Sequence, residues 1–201
     1  MMRQMSITKI YDHLYQVLRS ESFLNKKGLG NEVPFFICPH DPSKAVEMDQ
    51  IRLQLVSQLN GEGIDILDIN LYDLAIQILD DRKIWNKILE IEITKDKSVL
   101  LELLRNVLDP ETHLIPAIAD LISNKPDYRV MFLSGVGEIF PYIRSHTVLN
   151  NLQSTAKDQP TVLFFPGTYT QSMETGASLD LFSRLHDDKY YRAFNILNYQ
   201  A

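Results

Sequence analysis

The chain has 201 residues and a formal net charge of −6, with hydrophobic residues at 45% and charged residues at 23%. That length suits one domain with a sizeable core, and the composition excludes a chain too polar to fold. The acidic balance argues against direct nucleic-acid binding, which depends on Lys and Arg displacing counterions from phosphates. The longest apolar runs, such as Thr161-Val-Leu-Phe-Phe165, fall far short of the ~20 residues a membrane helix needs, so no membrane role is expected. The N-terminus passes from Met1 to Ser6 straight into a helix pattern without the apolar block of a secretory signal, and a cytoplasmic location is expected. The single cysteine, Cys38, supplies neither an internal disulfide nor a zinc cluster.

In chain order, Ser6 is placed to cap a first helix whose apolar face comprises Ile7, Ile10, Tyr11, Leu14, Val17 and Leu18. Residues 20–32, with Gly28 and Gly30, read as a loop, and Lys26-Lys27 as a solvated turn rather than a nucleic-acid patch. Val33 to Cys38 is an apolar run without alternation, the pattern of a parallel strand covered on both faces. Asp41-Pro42 starts a helix to about Asn60, with Val46, Ile51, Leu55, Val56 and Leu59 inward. Ile64 to Leu71 is a second strand whose partial alternation suggests less burial.

From Tyr72 to Asn124 the periodicity is helical, a helical insertion in which Asp109-Pro110 is another start signal and Pro116 threatens a kink. Tyr128 to Leu133 reads as a third strand, Ser145 to Gln153 as a helix and Thr161 to Phe165 as a fourth strand. Such alternation predicts an α/β fold over residues 1–201: three layers around a mostly parallel sheet, in a P-loop-NTPase-like or Rossmann-like layout. Beyond Gly167 the pattern weakens. Gly167 to Thr170 reads as a loop, Leu179 to Phe182 as a short edge strand, and Tyr190 to Leu197 as helix or strand.

The nucleotide-binding motifs of such layouts are absent. Cys38-Pro-His-Asp-Pro-Ser-Lys44 follows the first strand without a glycine, with two prolines that lack N–H donors and with Asp41 where an anion would sit. After the third strand, Leu133-Ser-Gly135 offers no acid for magnesium before Glu138. Cys38 and His40 invite a nucleophile reading, but a cysteine closing an apolar strand is better explained as core filler. The five histidines show no metal-ligand spacing, so neither metal nor cofactor is expected.

The most distinctive segment follows the third strand, Gly135-Val-Gly-Glu-Ile-Phe-Pro-Tyr-Ile-Arg-Ser-His146. Strand ends of this kind host ligands in open sheets, which makes Gly135, Gly137, Glu138, Arg144, His146 and Asn150 candidates for binding a partner or a ligand. The plainer reading is that the glycines turn the chain and Ser145 caps the next helix.

This segment, together with Leu149-Asn-Asn-Leu152, Pro160-Thr-Val-Leu-Phe-Phe-Pro-Gly167 and Tyr190-Tyr-Arg-Ala-Phe194, resembles the BrxB family, the small B component of bacterial BREX phage-defence systems. The likeness runs from Phe35-Phe36 to the C-terminus. It implies a role in phage defence beside a PglZ-type phosphatase-superfamily protein, an adenine-specific methyltransferase and a large ATPase, and it brings no catalytic residues. A non-catalytic interaction subunit, bound to the PglZ-type component and supporting host DNA methylation and phage restriction, is therefore expected. The alternative is a hydrolase or nuclease with a site around Glu138, Arg144 and His146, although a nuclease needs more clustered carboxylates than these strand ends offer.

Overall fold

The computed structural model describes residues 6–27, 34–172, 176–185 and 193–200. Val33, the Gly28 and Gly30 loop and Tyr190 to Arg192 lie outside the described residues. Among the described residues five parallel strands form the sheet, in the order β2 (Ile66–Asn70), β3 (Val130–Ser134), β4 (Thr161–Ser172), β1 (Phe35–His40) and β6 (Phe194–Asn195). A sixth strand, β5 (Gly176–Leu181), pairs antiparallel with the far half of β4, from Gly167↔Leu181 to Ser172↔Gly176. β4 is thus more than twice as long as the apolar run predicts, because Gly167 to Thr170 continues the strand instead of turning.

Period-2 alternation sorts the strand side chains into two cores. Phe36, Cys38, Val130, Phe132, Val162 and Phe164 face α1 (Ile7–Leu18) and α3 (Ala45–Gly61); a four-residue α2 (Glu21–Leu24) adds buried Phe23 to the same cluster. Phe35, Ile37, Met131, Leu133, Leu163 and Phe165 face α4 (Leu71–Asp81), α5 (Trp85–Thr94), α6 (Lys97–Val107), α7 (Ile115–Asn124) and α8 (Ser145–Leu152). The unbroken apolar run of β1 follows from this: Phe35 and Ile37 serve one layer, Phe36 and Cys38 the other, and all four are at most 1% exposed. The fold is a three-layer α/β structure with the thicker helical layer supplied by residues 71–124.

Caps follow the sequence signals. Ser6 accepts from the Lys9 N–H, and Asp41 accepts from the Ser43 N–H at 2.9 Å, starting a 3-10 turn (Pro42–Lys44) that leads into α3. Asn70 caps α4 by accepting from the Tyr72 and Asp73 N–H groups at 2.9 and 3.3 Å.

Three further expectations need correction. Val46 is 71% exposed and does not belong to the inward stripe of α3; Met48 and Arg52 turn inward with Ile51, Leu55 and Leu59. Pro116 is not in a helix interior: a π-helical turn over Pro110–Leu114 precedes α7 and places it in the first turn, where its missing N–H is tolerated. Ser145 does not cap α8. The capping position is Arg144, with no side-chain cap, and the Ser145 hydroxyl has no hydrogen-bond partner among the described residues.

Candidate functional site

Parallel sheets present ligands at the carboxyl ends of their strands, where crossovers diverge to opposite faces. Here β1 lies between β4 and β6, while β2 and β3 lie beyond β4, so the ends of β1 and β4 frame such a point. A cleft of about 1270 Å³ opens there, walled by His40 at the end of β1, by Asp41 and Lys44 beyond it, by Thr168 and Thr170 on β4, and by the turn from Phe182 to Leu185. Ile7, Ile10 and Leu197 give it an apolar side.

Its reactive-looking residues are muted. Cys38 is 0% exposed and burial pushes its thiol up to about 12, which makes it core filler rather than a nucleophile. Burial also holds the His40 pKa below the ordinary histidine value, against the raising effect of the Cys38 carbonyl, 3.4 Å from Nδ1. Tyr169 donates to the Ala193 carbonyl at 2.6 Å, and burial pushes its hydroxyl up to about 12. No group of three or more His, Cys, Asp or Glu that would suit a metal ion exists among the described residues. No helix among them is long and apolar enough to cross a membrane.

The sequence-derived candidates sit at the neighbouring strand end and have separate surroundings. Gly135 has φ +80°, and a Cβ there would lie 2.3 Å from Asn70 Oδ1 and 2.9 Å from the Tyr72 nitrogen. Only glycine lets β3 exit against the capped start of α4. Gly137 packs against the Phe182 ring and Pro166, at 3.1–3.2 Å from a built Cβ. Both glycines therefore serve close packing. Glu138, Arg144 and Asn150 are exposed, whereas His146 is 6% exposed inside α8. Of the six, only Arg144 lines either of the two clefts described here.

That second cleft, of about 220 Å³, adjoins the first; Arg184 and Leu185 line both. Arg184 follows a turn in which Phe182 and Ser183 both hold φ 55°, an uncommon conformation for side-chain-bearing residues, fixed by Phe182 N–H donating to the Pro166 carbonyl at 2.8 Å. Sequence reasoning missed Arg184. Nothing in its neighbourhood has a motif, and its position depends on the β4–β5 hairpin folding back over β3's exit.

The family model described as "BREX protein BrxB" matches residues 67–196, from β2 through β6. The chain belongs to the BrxB family of BREX phage-defence systems. A BREX protein BrxB of Bacillus cereus (strain H3081.97) is 32% identical over 193 residues, covering 96% of this chain and 98% of that protein. A BREX protein BrxB of Escherichia coli O9:H4 (strain HS) is 25% identical over 183 residues, covering 90% and 86%. No solved structure matches the chain. The stretch matched by the BrxB model takes in Arg144, Arg184 and the helices from α4 to α8, the insertion included.

Proposed function

We propose that this BrxB-family chain is a non-catalytic interaction subunit of a cytoplasmic BREX system, bound to a PglZ-type phosphatase-superfamily component and supporting host methylation and phage restriction. The methyltransferase and the ATPase of the system are reached through that partner rather than through nucleic acid.

The observation that carries this reading is an apolar surface on α5 and α6. Ile93 is 85% exposed, and Leu89, one turn earlier on the same face of α5, is 40% exposed. Val99, in the first turn of α6 just past the connection, is 45% exposed. Single exposed apolar residues are ordinary, but Ile93 and Leu89 stand together on one face of α5, and grouped apolar side chains of this kind mark interaction surfaces. Their support is firm: Ile88 on the opposite side of α5 is buried, and Arg82 donates to the Val107 carbonyl at 2.9 Å, tying the end of α4 to the end of α6.

Mixing the purified chain with the PglZ-type component of the same system and running size-exclusion chromatography tests the proposal. One earlier-eluting peak containing both proteins is expected. Separate elution at concentrations well above micromolar refutes it.

A further inference from the structure

We propose that the small cleft between Arg144 and Arg184 is an oxyanion site that takes a phosphate-type group. Arg144 and Arg184 both line this cleft of about 220 Å³, and among the described residues neither guanidinium has an ion pair or hydrogen bond and no carboxylate lines the cleft. Two cations facing one cavity repel each other, and an anion between them removes that repulsion. A guanidinium is also the side chain best matched to a planar-fork contact with a phosphoryl group.

Two further features point the same way. The cleft lies at the start of α8, an eight-residue helix that lacks a side-chain cap; the Thr147 and Val148 N–H groups donate to the Arg144 carbonyl at 3.0 and 3.2 Å, and the positive end of the helix dipole lies at this end. The Ser145 side chain lines the cleft too; the residue is only 8% exposed, and its hydroxyl makes no hydrogen bond among the described residues. The Ser145 Oγ is not sealed from solvent, which leaves this hydroxyl open to donate to an oxyanion bound in the cleft. The floor is apolar, built by Phe140, Phe165 and Leu179, so charge-assisted hydrogen bonds made above it are screened less than in open water.

Size sets the ligand class. At about 220 Å³ the cleft is below the ~300–1000 Å³ of pockets that hold whole drug-sized ligands, so it takes a group rather than an entire nucleotide. That group is either free phosphate or the phosphate of a monoester whose organic part extends past Arg184 into the larger cleft, where the Phe182 ring stands.

Titration calorimetry of the full chain at low ionic strength, with inorganic phosphate and with phenyl phosphate as probes, tests the site. A Kd of about 5 mM or tighter for at least one probe is expected, weakened about tenfold or more in Arg144→Gln and in Arg184→Gln and about threefold in Ser145→Ala. Tighter binding of phenyl phosphate, lost in Phe182→Ala, identifies a monoester; equal or tighter binding of inorganic phosphate identifies the free anion. Weaker binding of both probes overturns the proposal, as does binding that either arginine substitution leaves unchanged in a folded protein. Independently of any variant, the Ser145 amide resonance of the wild-type chain shifts as phosphate is added; a stationary Ser145 amide also overturns the assignment.

Discussion

Arg52 on α3 reaches across to Asp68 on β2, and the same guanidinium donates from Nε and Nη2 to Asp49 Oδ1 at 3.0 and 2.7 Å. Arg52 is 6% exposed, so burial alone would lower its pKa, yet the two carboxylates outweigh burial and the net shift is upward. The second oxygen of Asp68 is buried without a partner, which leaves this carboxylate dependent on Arg52. Removing the arginine strands it. Arg52→Ala is expected to lower stability by about 3 kcal/mol, at the lower end for a broken buried pair because Asp68 keeps 21% of its side chain exposed. The double replacement Arg52→Met with Asp68→Leu should recover most of that loss in urea denaturation. A double variant no more stable than Arg52→Ala would show that the loss is one of packing rather than charge.

The same pair explains how far the fold was legible in the sequence. The partial alternation of β2 was readable, but its cause was not: Asp68 shares the α3 face of the strand with Ile66 and is tolerated there only because Arg52 arrives from sixteen residues away. Strands backed by helices on both faces announced themselves as apolar runs, since burial demands it at every position. The extension of β4 did not, because Gly167-Thr-Tyr-Thr170 carries turn chemistry while its pairing partner, β5, supplies the reason to stay extended. Arg144 was visible beside a glycine-rich strand end. Arg184 was not, since only tertiary packing brings the two arginines to one cleft.

Two glycines should respond to the same substitution with opposite signs. Gly135→Ala places a methyl 2.3 Å from Asn70 Oδ1 at φ +80°, disrupting the α4 cap as well as straining the backbone. A loss of about 2 kcal/mol and a fall of about 5 °C in melting temperature are expected. Gly61→Ala, at the end of α3 with nothing within 4 Å, should stabilise by about 0.5 kcal/mol through the unfolded chain and helix propensity. Equal effects at the two positions would contradict the close packing inferred for the exit of β3.

Cys38 should resist alkylation while the protein is folded. With the thiol pushed up to about 12, the reactive thiolate is scarce at pH 8, and the side chain is fully buried as well. Iodoacetamide labelling followed by mass spectrometry should proceed only as fast as unfolding and accelerate sharply in urea. The sign of the linkage follows from the raised value: the neutral thiol's contribution to stability is whole below about 9, where the unfolded thiol ionises, and is lost as pH rises toward 12. Rapid labelling of the native chain at pH 8 would contradict this reading.

Ile93 offers the sharpest test of the proposed interaction surface, because its exposure separates binding from folding. At 85% exposed it contributes little to the core, so Ile93→Asp should change the melting temperature by no more than an ordinary surface substitution, within about 0.5 kcal/mol. If α5 and α6 dock against the PglZ-type component, the new carboxylate is desolvated at the contact, and affinity should fall about tenfold or more. Leu89→Asp, on the same face but only 40% exposed, should weaken binding as well while costing some stability, since part of its side chain packs inward. Val46→Asp is the control: Val46 is 71% exposed but stands at the start of α3, on the layer across the sheet from α5 and α6, and its replacement should leave partner affinity intact. Binding measured by biolayer interferometry, beside thermal melts of each variant, separates these outcomes. Undiminished affinity in Ile93→Asp would move the docking surface away from α5 and α6, and an equal loss in Val46→Asp would reduce the effect to added charge.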